Sequence, residues 1–298
     1  MRFPPLLAAG ARVALLAPAG PIRDTDLERA QANVRRFGWE PVVATNARAA
    51  DGYLAGTDEQ RARDLNDAIA DKSIDAIWCL RGGYGVMRIL EAIDYKTLAR
   101  QPKTLIGYSD VTALHTAFGR LAKLVTFHGP TARQKLPPFS ATSLERAVAH
   151  GKDPCGEMPK ATTLVGGTAR GRLVGGNLAL LAALVGTPYA PDYSGAILVI
   201  EDVNEAHYRI DRMLTTLRLS GALSECAGIV FGKFTDIPKE FGDEQWSLPR
   251  VLADAARQAG VPCVAGAPFG HTDEQWTIPI GARAELNADA RTLCVRRT

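Results

Sequence analysis

From Arg12 to about residue 130, short β-branched-rich runs alternate with stretches whose apolar positions recur every three or four residues. RVALLAP, PVVAT, IDAIWCL and KTLIG fit buried strands, while DLERAQANVRRF and the stretch from Thr57 fit amphipathic helices. This alternation predicts a parallel sheet covered by helices, whose ligand chemistry gathers at the carboxyl ends of the strands. Thr57-Asp58-Glu59-Gln60 is a capping box, in which the threonine hydroxyl and the glutamine side chain satisfy each other's backbone donors. Residues 137–163 carry Pro137, Pro138, Pro154 and Pro159 without a sustained period, and read as a linker between a first domain, 1–136, and a second, 164–298. The second domain strings together TARGRLVGG, a helix NLALLAALVG, a strand AILVIED, a long helix through YRIDRMLTTLRLSG, a strand AGIVFG, a helix around LPRVLADAARQAG and short final strands. No internal repeat or low-complexity segment interrupts it.

Composition narrows the function classes. A hydrophobic content of 46%, a charged content of 22% and a formal net charge of +3 describe an ordinary globular chain with a balanced surface. No block of like charge asks for nucleic acid, and Arg296 and Arg297 read as a solvated tail. Cys79, Cys155, Cys226, Cys263 and Cys294 lie far apart with no CxxC pair, which argues against a disulfide framework and a zinc site and fits a reducing compartment, hence the cytoplasm. Pro4, Pro5 and Arg12 interrupt the apolar opening, so it reads as a first strand and not as a signal peptide. No apolar run has the length of a membrane span.

The sharpest chemical signal is KTLIGYSDVTALHTAFGRLA, a strand that turns through Ser109 into a helix. Such a turn holds a serine hydroxyl at the sheet edge, and the amide of Asp110 begins a helix suited to an oxyanion. A helix N-cap is the plainer role for Ser109. Among the possible bases, His115 lies inside the following helix, His150 in the polar linker and His207 at a helix start; His128 ends a strand, and His271 follows the small-residue strand CVAGAPFG in a loop opened by a glycine. His271 is the first candidate and His128 the second. AILVIEDV ends in Glu201 and Asp202, either of which could orient an imidazole, with helix capping as the competing role. The turn LRGGYGVMR resembles a phosphate loop but has Arg88 where the last glycine of GxGxxG belongs; if it faces Ser109, the Gly83 amide would be a second oxyanion donor.

Taken together, APAGP after the first strand, RGGYG with Arg88, GYSDVTALH, VGGNL, EDVNEAHYRIDRML and GHTDEQWTIPIGARAELN resemble the LD-carboxypeptidase family, serine peptidases that trim the terminal D-Ala from muropeptide tetrapeptides in peptidoglycan recycling. The resemblance implies a catalytic triad of Ser109, Glu201 and His271, and an oxyanion hole of the Gly83 and Asp110 amides. It also implies an α/β fold with a flavodoxin-like or class I amidotransferase-like parallel sheet domain, a smaller swivelling C-terminal β/α domain, and a homodimer with no cofactor and no metal. Arg81, Tyr84 and Arg88 are the candidates for binding substrate, an arginine fork being suited to a terminal carboxylate. Relatives resembling microcin-immunity proteins share the framework and hydrolyse acyl-aminoacyl nucleotides. A non-catalytic muropeptide sensor would keep the crevice without turnover. A generic α/β-hydrolase expects GxSxG, which GYSDV lacks, and a metallopeptidase expects HExxH, which is absent.

Overall fold

The computed structural model describes residues 1–239 and 244–297. Its strands are β1 (Arg12–Leu16), β2 (Glu40–Val43), β3 (Ala76–Cys79), β4 (Thr104–Gly107), β5 (Thr126–His128), β6 (Gly156–Glu157), β7 (Thr162–Val165), β8 (Thr168–Asn177), β9 (Ile197–Val203), β10 (Gly228–Thr235), β11 (Cys263–Ala265), β12 (Ile278–Ile280), β13 (Arg283–Asn287) and β14 (Thr292–Arg296). Among the described residues they form a six-stranded sheet in the order β12-β5-β4-β3-β1-β2 and an eight-stranded sheet in the order β6-β14-β13-β8-β9-β10-β11-β7.

In the first sheet β1 to β5 pair in parallel, as the alternating pattern predicts. The central strands are buried on both faces and therefore largely apolar: Val13 and Leu15 enter one core, Ala14 and Leu16 the opposite one. The second sheet has a parallel centre, β8 to β11, with antiparallel strands at its edges. In β9 the same alternation sends Ile197 and Val199 to one core and Leu198 and Ile200 to the other.

Two features differ from the sequence expectation. The segment 137–163 holds an 11-residue helix, Pro138–Val148, with proline at its first turn, where a missing N–H costs nothing. Its apolar period, carried by Ala141, Leu144, Ala147 and Val148, is masked in the sequence by the prolines and glycines on either side. Strand β12, late in the chain, pairs antiparallel with β5 at the edge of the first sheet, Ile278 opposite His128. Nothing in the three residues IPI announces a partner that distant in sequence.

These two departures meet. Ser140 Oγ donates to the carbonyl of Asp273 and accepts from the Gln275 amide, both at 2.9 Å. Ser143 Oγ donates to the Pro154 carbonyl and accepts from the Thr277 amide, both at 2.8 Å. Both serines are buried, so the helix grips residues 273–277, the run that joins His271 to β12. Ser143→Ala leaves a buried amide and a buried carbonyl without partners and should cost about 1–3 kcal/mol per group. Denaturant unfolding of the variant beside Ser143→Thr, which keeps the hydroxyl, checks this; equal stability of Ser143→Ala and wild type would show that the grip contributes nothing.

Candidate active site

Ser109 stands immediately beyond Gly107 and Tyr108 at the carboxyl end of β4, the strand between β3 and β5. Its φ is 65°, a left-handed conformation that a β-substituted residue adopts only when its surroundings hold it there. The capping role does not materialise: the short helices Ser109–Val111 and Thr112–Ala117 have Tyr108 and Val111 at their N-caps, with no side-chain cap hydrogen bond at either. The strained serine is therefore presented outward on a sharp turn, the conformation an exposed nucleophile requires.

The glycine turn after β3 packs directly on it. A Cβ added at Gly82 would fall 2.8 Å from Cβ and 3.0 Å from Oγ of Ser109, so only glycine fits. The turn thus faces Ser109 across adjacent strands, and Gly83 in it has a φ of 116°. Two buried ionic groups fix this turn. The Asp110 carboxylate accepts from the Val86 amide at 2.8 Å, and burial pushes its pKa up to about 6 against the pull of that amide and of Arg61. Arg61, 1% exposed, donates from Nη1 to the carbonyls of Pro18 at 2.7 Å and Gly85 at 2.8 Å. Sequence reasoning passed over Arg61, although its place on the apolar stripe with Leu65, Ala68 and Ile69 is the signal of a buried arginine with a task.

Glu201 and Asp202 follow the strand alternation to opposite faces of β9, and that separates their roles. Asp202 accepts from the Asn177 side-chain amide, the Ala179 amide and its neighbour Val203 at 2.8–2.9 Å, closing the start of the helix Leu178–Ala183; burial first, then the Glu201 charge, lift its pKa to about 6. It is a capping residue for the helix before it in the chain. Glu201, fully buried, meets His271 instead, with Nδ1 2.7 Å from Oε2. Because a carboxylate can only accept, His271 Nδ1 carries a proton, and in the neutral imidazole Nε2 is the acceptor. Gly270 permits the approach: a Cβ there would lie 2.8 Å from the Glu201 Cβ, and its φ of 115° favours glycine.

The Tyr108 ring joins the two halves of the site, its centroid 4.6 Å from that of His271. Its hydroxyl accepts from the Gln134 side chain at 2.9 Å, and burial, with the Glu201 charge second, pushes its pKa up to about 12, keeping it neutral. The other histidines fall away. His128 is fully buried among Tyr108, His115 and Phe269, and burial holds it well below the usual imidazole range. His115 is a core residue bonded to Thr126 Oγ1 and the Gly107 carbonyl, and burial pushes it down to about 4. His150 is exposed beside Glu145, and His207 is half-buried at the first position of the helix His207–Leu219.

Of the substrate-binding candidates, Tyr84 is 53% exposed and meets the exposed Tyr53 edge to face at 5.7 Å, beside the glycine turn. Arg88 forms a fork on Asp58 through Nε and Nη2, with contacts of 2.8–3.0 Å. Arg81 donates to the Pro21 carbonyl at 2.6 Å. No cluster of three or more metal-ligating side chains and no helix long and apolar enough to cross a membrane occur among the described residues.

Two family models match the chain, the LD-carboxypeptidase N-terminal domain over residues 13–129 and the LD-carboxypeptidase C-terminal domain over residues 170–286. The murein tetrapeptide carboxypeptidase of Pseudomonas aeruginosa is 37% identical over 297 residues, which cover 93% of this chain and 94% of the relative. The crystal structure of muramoyltetrapeptide carboxypeptidase from Oxalobacter formigenes matches with a TM-score of 0.86 at 31% identity, over 96% of this chain and 98% of that one. An MccF-like protein from Bacillus anthracis matches with a TM-score of 0.88 at 24% identity over 99% of both chains, a likeness of fold.

The contact between Gly82 and Ser109 yields a test of the geometry by itself. Gly82→Ala should displace the serine and lower kcat by about 100-fold, since small misplacements of a reacting group are costly, while the cooperative unfolding transition is kept. Turnover and thermal unfolding measured side by side check it; a variant with wild-type turnover would show that the close packing does not position the serine.

Proposed function

Because the chain belongs to the LD-carboxypeptidase family, we propose that it is a serine LD-carboxypeptidase that releases the terminal D-Ala of muropeptide tetrapeptides in peptidoglycan recycling. The observation that carries the reading is the 2.7 Å contact of His271 Nδ1 with the buried Glu201, beside the tyrosine that precedes the strained Ser109. In this reading His271 Nε2 takes the Ser109 proton as Oγ bonds to the scissile carbonyl carbon, and the Gly83 and Asp110 amides receive the oxyanion. When the tetrahedral intermediate collapses, the C–N bond breaks and the same proton passes from His271 to the departing amine. Water, deprotonated by His271, then releases the acyl group and restores the hydroxyl. Glu201 holds the imidazole in the useful tautomer and stabilises its charged form at each transfer.

The murein tetrapeptide activity named for the Pseudomonas aeruginosa relative supports the substrate class. The widely spaced free cysteines, three of them buried, favour a cytoplasmic setting, and a homodimer is the expected assembly. The deciding measurement is release of D-Ala from muramoyl tetrapeptide in excess chelator. Wild type should release it, and Ser109→Ala should lose on the order of 10,000-fold in kcat with unchanged unfolding. Turnover by Ser109→Ala would overturn the assignment of the nucleophile. An inert wild type that cleaves an acyl-aminoacyl nucleotide would move the chain to the microcin-immunity type of substrate, and binding without turnover of either would make it a sensor.

A further inference from the structure

A cationic locus outside the triad occupies the two strand ends that flank the nucleophile. Arg81 follows β3 and Arg133 follows β5, the neighbours of β4 on either side. Each is one residue from a group in contact with the serine turn: Gly82 abuts Ser109, and the Gln134 side chain is bonded to the Tyr108 hydroxyl. Arg23 stands at the start of the helix Asp24–Arg36 on the same side, and the exposed Arg29 reaches the Arg133 carbonyl at 3.3 Å.

The charges of this locus do not balance. Its ion pairs end on a single carboxylate, Asp26, approached by Arg23 at 3.4 Å and by Arg133 at 3.5 Å. Arg81 makes no ion pair among the described residues; its fork meets only the Pro21 carbonyl. Arg133 Nε is buried and has no hydrogen-bond partner among the described residues. Burial first, then the Arg133 charge, lowers the pKa of Arg81 against the opposing pull of Asp26. Arg88, the other arginine of the glycine turn, is paired with Asp58, a carboxylate it shares with Arg61.

We propose that Arg81 and Arg133 form the cradle for the substrate's terminal carboxylate, beside Ser109. The inference rests on the carboxypeptidase reading, for which the anion must lie one residue beyond the scissile carbonyl, within the first ring of side chains around the nucleophile. Arg81, bonded to the Pro21 carbonyl, and Arg133, whose Nε has no partner among the described residues, offer two planar forks on the strands that flank Ser109, which suit a planar carboxylate, and their net charge gives the free acid an advantage that a neutral peptide end lacks.

The test separates binding from turnover. With Ser109→Ala as the background, calorimetry compares muramoyl tetrapeptide ending in D-Ala with the same compound ending in D-alanine amide. The acid should bind at least about 10-fold more tightly, and adding Arg133→Gln should weaken the acid by about 10- to 100-fold and leave the amide within about twofold. Arg81→Gln should act in the same direction; Arg81→Lys, which keeps the charge but not the fork, and a thermal melt guard against a folding defect. Equal losses for acid and amide, or an acid preference that survives both substitutions, would overturn the cradle and leave the peptidase reading standing. No D-Ala release by the wild type beside an intact acid preference would overturn the peptidase reading alone, and binding of neither compound would overturn both.

Discussion

A carboxylate buried within a sheet is costly unless something stabilises its charge, and in this chain that something is His271. Glu201 comes from the central strand β9, and His271 from a loop 70 residues later. Their contact fixes the imidazole tautomer and brings the loop against the carboxyl edge of β9. Much of the surrounding architecture serves to make it possible. Gly270 lets the backbone pass, strand alternation sends Asp202 to the opposite face, and the two buried serines of the helix Pro138–Val148 hold the far side of the loop.

Ser109 is placed by an independent set of contacts. Ser109 owes its conformation to a turn between two glycine-bearing segments, and Arg61 and Asp110 hold that turn from below. The connection between the two sets runs through Tyr108, whose ring packs on His271, and through β12, which carries the chain from the histidine loop into the edge of the first sheet. The halves of the chain also meet beside the site where the Asn177 amide donates to Thr112 Oγ1 at 2.9 Å.

Much of this was legible in the sequence because it rests on local patterns. The parallel strands, the helix behind Thr57-Asp58-Glu59-Gln60, the serine turn and the acid at the end of AILVIED are each marked by periodicity, capping or chain direction. The choice of His271 over His128 was legible from a glycine neighbour and from resemblance, and the structure gives the physical basis, since His128 is sealed in the core. What stayed hidden depends on tertiary partners. Ser140 and Ser143 look like ordinary helix residues until residues 273–277 are laid beside them. Arg88 looks unpaired until Asp58, 30 residues earlier, is laid beside it, and Arg133 carries no local mark of its contact with Asp26.

The central claim is that Ser109, Glu201 and His271 act as one catalytic unit. The most direct measurement is kcat/KM for D-Ala release by Ser109→Ala, by His271→Ala and by the double variant. Members of one unit give losses that do not multiply, so the double variant should be about as slow as either single one. Losses that multiply would mean that the two side chains act separately, and would contradict the account.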